Sequence, residues 1–183
     1  MDTISLQPAI AIPGHMTDIE LEWIMTQTSA LPPLATWVEL GVFCGRSLMA
    51  AALGMPMEGT LLAVDLRLGM DTIDGCGFLE TYQKISTCRP DLRIIGMKMP
   101  GDAAAAYVTS AGVDGVFIDA DHDYAPVCRD IQAWLPKVKP GGLLCGHDFD
   151  EVHWPGVVNA VRELVPGASR TNAGTIWSLP IQK

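Results

Sequence analysis

The stretch FIDADHDY, residues 117–124, places Asp119, Asp121, His122 and Asp123 within five positions, and CGHDF, residues 145–149, adds His147 and Asp148. Capping a helix uses one such side chain, so four together call for another account. Packed carboxylates repel one another unless a proton or a cation resolves the conflict. If the two stretches are neighbours, Asp119, His147 and Asp148 can converge on a divalent metal. Two carboxylates favour Mg²⁺, Ca²⁺ or Mn²⁺, and an imidazole ligand shifts the preference toward Mn²⁺, Zn²⁺ or similar ions. The alternative is a hydrogen-bonded His/Asp cluster without metal. His122 stands apart, because an imidazole with an ordinary pKa of about 6.5 can take a proton at neutral pH. Carboxylates around it would raise that value, and a bound cation would lower it.

A second group of residues has the spacing of a ligand cradle. In VELGVFCGRS, residues 38–47, an apolar run carrying Glu39 is broken by Gly41 and Gly45. Glycines there permit close backbone approach, and a helix opening at Gly45 offers free N–H groups. The spacing is G-x-x-x-G, which differs from the G-x-G-x-x-G dinucleotide fingerprint, and a plain tight turn is the competing account. Asp65 follows 20 residues after Gly45. An acid at that distance can accept hydrogen bonds from both hydroxyls of a ribose. Asp102 can cap the alanine-rich helix that follows it or read the exocyclic amine of adenine, and one side chain can do both. Together these residues point to a nucleoside-containing ligand.

All of them fall at the ends of expected strands. ATWVEL, GTLLAVDL, LRIIGMKM, GVDGVFIDA and GGLLCGHDF are nearly continuous apolar runs, the signature of strands buried on both faces. Helices are expected between them, at RSLMAAALGM, at about 76–87, from Asp102 to about Thr109, at APVCRDIQAWLPKV, and from PGVVNAVREL onward. An earlier helix is signalled by TDIELEWIMTQTSA, where Thr17 and Glu20 stand at capping-box spacing, and Pro32 and Pro33 end it. The tail ASRTNAGTIWSLPI reads as a terminal strand or hairpin. The expected fold is one doubly wound α/β domain over residues 1–183, with a helical cap at 1–33 and a Rossmann-like core at 34–183. In such sheets ligands bind beyond the carboxyl ends of the strands, where the strand order reverses.

Composition narrows the function. The formal net charge of −9 and the absence of Lys/Arg clusters argue against nucleic-acid binding. No apolar run approaches the length of a membrane span, and the N-terminus lacks the apolar core of a signal peptide. Five cysteines without CxxC spacing suggest reduced thiols and a cytoplasmic setting. The modest 18% charged content is compatible with a homodimer.

From about Thr36 onward the chain resembles class I S-adenosylmethionine-dependent methyltransferases, in particular their small metal-dependent branch. The resemblance rests on three motifs: Glu39, Gly41, Gly45 and Ser47; Ile118, Asp119, Asp121, His122 and Tyr124 followed by Asp130 and Trp134; and Pro140-Gly141-Gly142 followed by His147 and Asp148. It implies a seven-stranded, mostly parallel sheet whose last strand is antiparallel. It also implies that Glu39, Gly41, Gly45 and Ser47 border the methionine end of the cofactor, Asp65 the ribose, and Gly101 and Asp102 the adenine. Asp119, His147 and Asp148 match positions that bind Mg²⁺ in sugar and catechol methyltransferases, and Asp119 borders the cofactor as well. His122 matches a base in macrolide-sugar relatives. His147 stands where those relatives carry an acid, and Ala120 where they carry glycine.

The expected chemistry is O-methylation of a small hydroxylated acceptor such as a sugar, a catechol-like compound or a natural product, with Mg²⁺ or Mn²⁺ as the candidate metal. Methyl transfer is an in-line displacement that needs alignment and a deprotonated oxygen. A nicotinamide-linked enzyme is disfavoured by the missing dinucleotide fingerprint and the missing Tyr-x-x-x-Lys pair. A non-catalytic protein that holds S-adenosylmethionine or another nucleotide is the rival from a different class. The segments available to build an acceptor pocket are the first 30 residues and the loops at about 66–78 and 149–156.

Overall fold

The computed structural model describes residues 5–68 and 77–183. Its core is a seven-stranded sheet in the order β3-β2-β1-β4-β5-β7-β6. The strands are β1 (Thr36–Leu40), β2 (Thr60–Val64), β3 (Arg93–Met97), β4 (Val113–Ile118), β5 (Val138–Gly146), β6 (Ser169–Arg170) and β7 (Trp177–Pro180). The first five run parallel, and β7 pairs antiparallel with both β5 and β6. The tail is therefore the hairpin-like closing element that its β-prone residues suggest.

Helices cover both faces. α1 (Gln7–Ile10), α2 (Asp18–Ser29), α3 (Arg46–Gly54) and α4 (Phe78–Cys88) precede β3, and α5 (Gly101–Ala104), α6 (Tyr124–Trp134) and α7 (Pro155–Leu164) follow it. The side chains of β1 alternate between the two apolar layers. Trp37 packs in the layer with Leu21, Ile24 and Leu48. Val38 and Leu40 pack in the other with Ile131, Trp134 and Val161. A strand flanked this way must be apolar on both sides, and so Glu39 in β1, at 0% exposure, is conspicuous.

Two expectations change. The helix expected from Asp102 to about Thr109 is a four-residue α-turn followed by a 3₁₀ turn at Ala105–Tyr107. Alanines favour helix, but the tertiary course toward β4 overrides a propensity this weak. Cys88, Cys128 and Cys145 are free thiols, whereas Cys44 is disulfide-bonded, which corrects the expectation of uniformly reduced cysteines. Spacing alone cannot report a pairing that depends on proximity in space. Among the described residues no helix is long and apolar enough to cross a membrane. Most of the expected loop at 66–78 lies outside the described residues.

Candidate active site

The strand order reverses between β1 and β4. Register sets Leu40 against Ile118 and Ile118 against Gly146, so the segments leaving β1, β4 and β5 emerge side by side. This is the switch-point crevice of an open α/β sheet. It brings Gly41, Asp119 and His147 to one level, although they are far apart in sequence.

At the β1 exit, Gly41 has φ +82° and Gly45, the N-cap of α3, φ +83°. A Cβ on Gly41 would lie 2.0 Å from the Asp119 carbonyl oxygen, so this glycine admits the neighbouring strand end as well as any ligand. Beneath the turn, Ser47 Oγ donates to Glu39 Oε1 at 2.8 Å, while Glu39 Oε2 is buried without a hydrogen-bond partner. Burial pushes the Glu39 carboxyl well up. An orphaned buried carboxylate oxygen is costly unless a donor meets it, so Glu39 fits a ligand bearing an ammonium or N–H group.

Asp65, at the end of β2, accepts the N–H groups of Val42 (2.8 Å) and Phe43 (3.1 Å) at Oδ2, and that of Arg67 (2.6 Å) at Oδ1. It thus ties the glycine turn to β2; Oδ2 is used up by its two N–H groups, and Oδ1 keeps a second lone pair for a hydroxyl. After β3, Asp102 Oδ1 accepts the Ala103 N–H at 2.8 Å, and Oδ2 faces Arg129 Nε at 3.7 Å.

The acidic stretch after β4 divides. Asp121 accepts the Asp123 N–H at 2.9 Å and shapes the turn. Asp119 and His122 face inward toward Asp148, and ligand atoms of these three lie within 4.8 Å of one another. His122 Nε2 is 2.8 Å from Asp148 Oδ2, and that hydrogen bond raises the pKa of His122 above its ordinary value of 6.5. Burial pushes Asp119 up. Asp148 holds φ +60°, a strained conformation for a residue with a side chain.

His147, expected as the third metal ligand, is enclosed by acids. Its Nε2 lies 3.0 Å from Glu20 Oε1, and its Nδ1 lies 3.3 Å from Asp148 and 3.6 Å from Asp119. Burial opposes charge on the ring, but the surrounding carboxylates of Asp119, Asp148 and Glu20 override it and push the pKa up to about 12. Both ring nitrogens of His147 therefore face carboxylates, Nε2 through a hydrogen bond to Glu20. The side chains whose ligand atoms lie within 4.8 Å of one another are Asp119, His122 and Asp148.

Reasoning from sequence missed two of these contacts. Glu20 fills its expected capping role by accepting the Thr17 N–H at 2.9 Å, yet it also accepts the Thr175 N–H at 2.9 Å and binds His147. Burial would raise the Glu20 carboxyl, but the hydrogen bonds from His147, Thr175 and Thr17 hold it down at about 2. Trp154 stacks on His122 with ring centroids 4.1 Å apart, while 39% of it stays exposed. Nothing in its local sequence signals that pairing. The N-terminal segment also reaches the cradle, since Arg46 Nη1 donates to the carbonyls of Ile10 and Ile12, both at 2.8 Å.

Replacing Glu20 by Gln should leave the His147 imidazolium short of a buried partner and destabilise the chain by about 3 kcal/mol. The depressed Glu20 pKa means that its contribution is full above 4.5 and fades as pH falls toward about 2. Urea unfolding across that range should therefore show a shallower acid dependence in E20Q than in the wild type.

The fold and the site define a methyltransferase architecture, and comparison with known proteins agrees. A family profile described as a methyltransferase domain matches residues 38–149, more than half of the chain, and the chain belongs to this family. Caffeoyl-CoA O-methyltransferase 1 of Zea mays is 33% identical over 128 residues, covering 66% of this chain and 44% of that protein. The chain thus spans about half the length of the curated relatives it matches. Among solved structures, an O-methyltransferase from Bacillus cereus in complex with SAH shares the fold with TM-score 0.63 at 15% identity, covering 96% of this chain and 88% of that one. A TDP-rhamnose 3′-O-methyltransferase of calicheamicin biosynthesis has TM-score 0.65 at 17% identity, covering 87% and 77%.

Proposed function

We propose that this chain is an S-adenosylmethionine-dependent O-methyltransferase whose acceptor is a small molecule with a hydroxyl group. One observation carries the reading: His122, 2.8 Å from Asp148, lies on the segment leaving β4, whose first residues Asp119 and Ala120 abut the Gly41 turn at the exit of β1. That arrangement joins a cofactor cradle to a proton acceptor. The three relatives described above are each named an O-methyltransferase, which supports the same class of acceptor.

Glu39 would receive the amino group of the methionine moiety, the turn from Gly41 to Gly45 with Ser47 would border it, and Asp65 would meet the ribose. The cofactor supplies a methyl group already activated on sulfonium. The work of this chain is then to hold the acceptor oxygen in line and to remove its proton. His122 takes that proton at Nδ1, while its Nε2–H points at Asp148, which stabilises the imidazolium that forms. Trp154 holds the His122 ring in place and offers its open surface as a wall for the acceptor. A divalent ion, if bound, would be held by Asp119 and Asp148 and would lower the pKa of an acceptor hydroxyl.

The test is calorimetric titration with S-adenosylmethionine and S-adenosylhomocysteine, with and without chelator, followed by a panel of catechols, sugars and phenols with Mg²⁺, Mn²⁺ or neither. Binding that survives chelation, with methyl transfer to at least one hydroxyl acceptor, is the expected result. Failure to bind either compound would overturn the reading. Tight binding with no acceptor methylated would leave a non-catalytic cofactor-binding protein.

A further inference from the structure

α6 carries two buried polar groups for which the proposed reaction has no use, Asp130 and Trp134. They stand one helical turn apart and therefore on one face. Trp134 is fully buried, and its Nε1 donates to the Gly101 carbonyl at 2.8 Å. Asp130 is 7% exposed, and its carboxylate is packed against the backbone of Gly101. The Gly101–Asp102 turn is thus gripped by α6 at two points, by a hydrogen bond to the Gly101 carbonyl and by the Asp130 carboxylate set against Gly101. The fit is close: a Cβ on Gly101 would lie 2.6 Å from Asp130 Oδ1.

This arrangement is expensive if its only purpose is packing. The charged groups around Asp130 are Asp102, Arg129 and Asp121, two of them acidic. Burial and the Asp102 charge push the Asp130 carboxyl up to about 6. An apolar side chain would fill the same space without that desolvation and repulsion. The grip acts on the turn that follows β3, on the same edge of the crevice as Asp65, since the Asp65 N–H donates to the Met97 carbonyl at 3.1 Å. Asp102 is held there with Oδ1 committed to Ala103 and Oδ2 engaged only with Arg129 at 3.7 Å, which leaves it acceptor capacity.

We propose that Asp130 and Trp134 are positioning residues that lock the Gly101–Asp102 turn so that the Asp102 carboxylate accepts the exocyclic amine of the cofactor's adenine, making the chain selective for amino-purines over oxo-purines. The proposal rests on the methyltransferase reading. The selectivity follows from donor and acceptor matching, because a 6-oxo-purine would present an acceptor to a carboxylate and leave both unsatisfied.

The test measures calorimetric affinities of the full chain for S-adenosylhomocysteine and for S-inosylhomocysteine, whose base carries oxygen in place of the amine. The wild type should favour the adenine compound by about tenfold or more. Asp130→Leu and Trp134→Phe should each weaken the adenine compound about tenfold and the hypoxanthine compound by no more than about twofold, so that the ratio collapses. Asp130→Leu fills nearly the same space without an acceptor oxygen and keeps the experiment decisive if Trp134→Phe fails to fold. Glu39→Gln, at the opposite end of the cofactor, should weaken both compounds alike. Equal losses for both compounds in the α6 variants would reduce the two residues to general structural roles and overturn the proposal, as would unchanged affinities. A wild-type chain that binds neither compound would overturn this proposal together with the methyltransferase reading, whereas normal binding with an unaltered ratio would overturn this proposal alone.

Discussion

Replacing His122 by Ala should lower the rate of methyl transfer by about a hundredfold to ten-thousandfold, the range for loss of a positioned general base. Affinity for S-adenosylhomocysteine should stay near the wild-type value, because His122 is not among the groups assigned to the cofactor. The pH profile gives an independent check. The Asp148 hydrogen bond raises the pKa of His122 above 6.5. A base must be unprotonated to act, so kcat/KM should fall as pH drops through that raised value. Asp148→Asn removes the negative charge that favours the charged ring, and the acid limb should move to lower pH. If H122A turned over at the wild-type rate, another group would be the base.

Replacing Gly41 by Ala should destabilise the fold and disable the site in one step. The backbone there holds φ +82°, and the added Cβ would sit 2.0 Å from the Asp119 carbonyl oxygen and 2.6 Å from the Ala120 Cα. Both obstacles are backbone atoms and cannot rotate away, so either β1 or the β4 exit must shift. The expected cost is about 3 kcal/mol or more. For a domain of this size each kcal/mol lowers Tm by roughly 2–4 °C. Because Asp119 is what the Cβ strikes, turnover should fall further than the lost stability accounts for. Thermal unfolding alongside single-turnover rates would separate the two effects, and a chain with an unchanged Tm would mean that the turn relaxes without cost.

Most of the fold was legible because its signals are local. Apolar runs of strand length between glycine- and proline-marked turns located all five parallel strands, and Thr17 with Glu20 marked the start of α2. The alanine-rich segment after Asp102 was the misread element, since short-range propensity there competes with the direction the chain must take to reach β4. The site was legible in its members more than in its pairings. Asp119, His122 and Asp148 were recognisable as strand-end acids and imidazole. That His147 turns to Glu20 depends on where an N-terminal helix docks, a contact spanning 127 residues. No spacing rule reaches that far.

What the sequence by itself determined about this protein is therefore the alternating architecture, the glycine turn, and the inventory of acids and imidazoles placed at strand ends, because each is written in periodicity and neighbouring residues. Only the tertiary structure decided how those groups divide their work. It gave His122 to Asp148 and Trp154, enclosed His147 among three carboxylates, left one oxygen of Glu39 without a partner, and set Asp130 and Trp134 against the turn after β3. The physical reason is the same in each case. A hydrogen bond or a pKa depends on which groups are within a few ångströms and how much water is excluded, and both are properties of packing between segments distant in sequence.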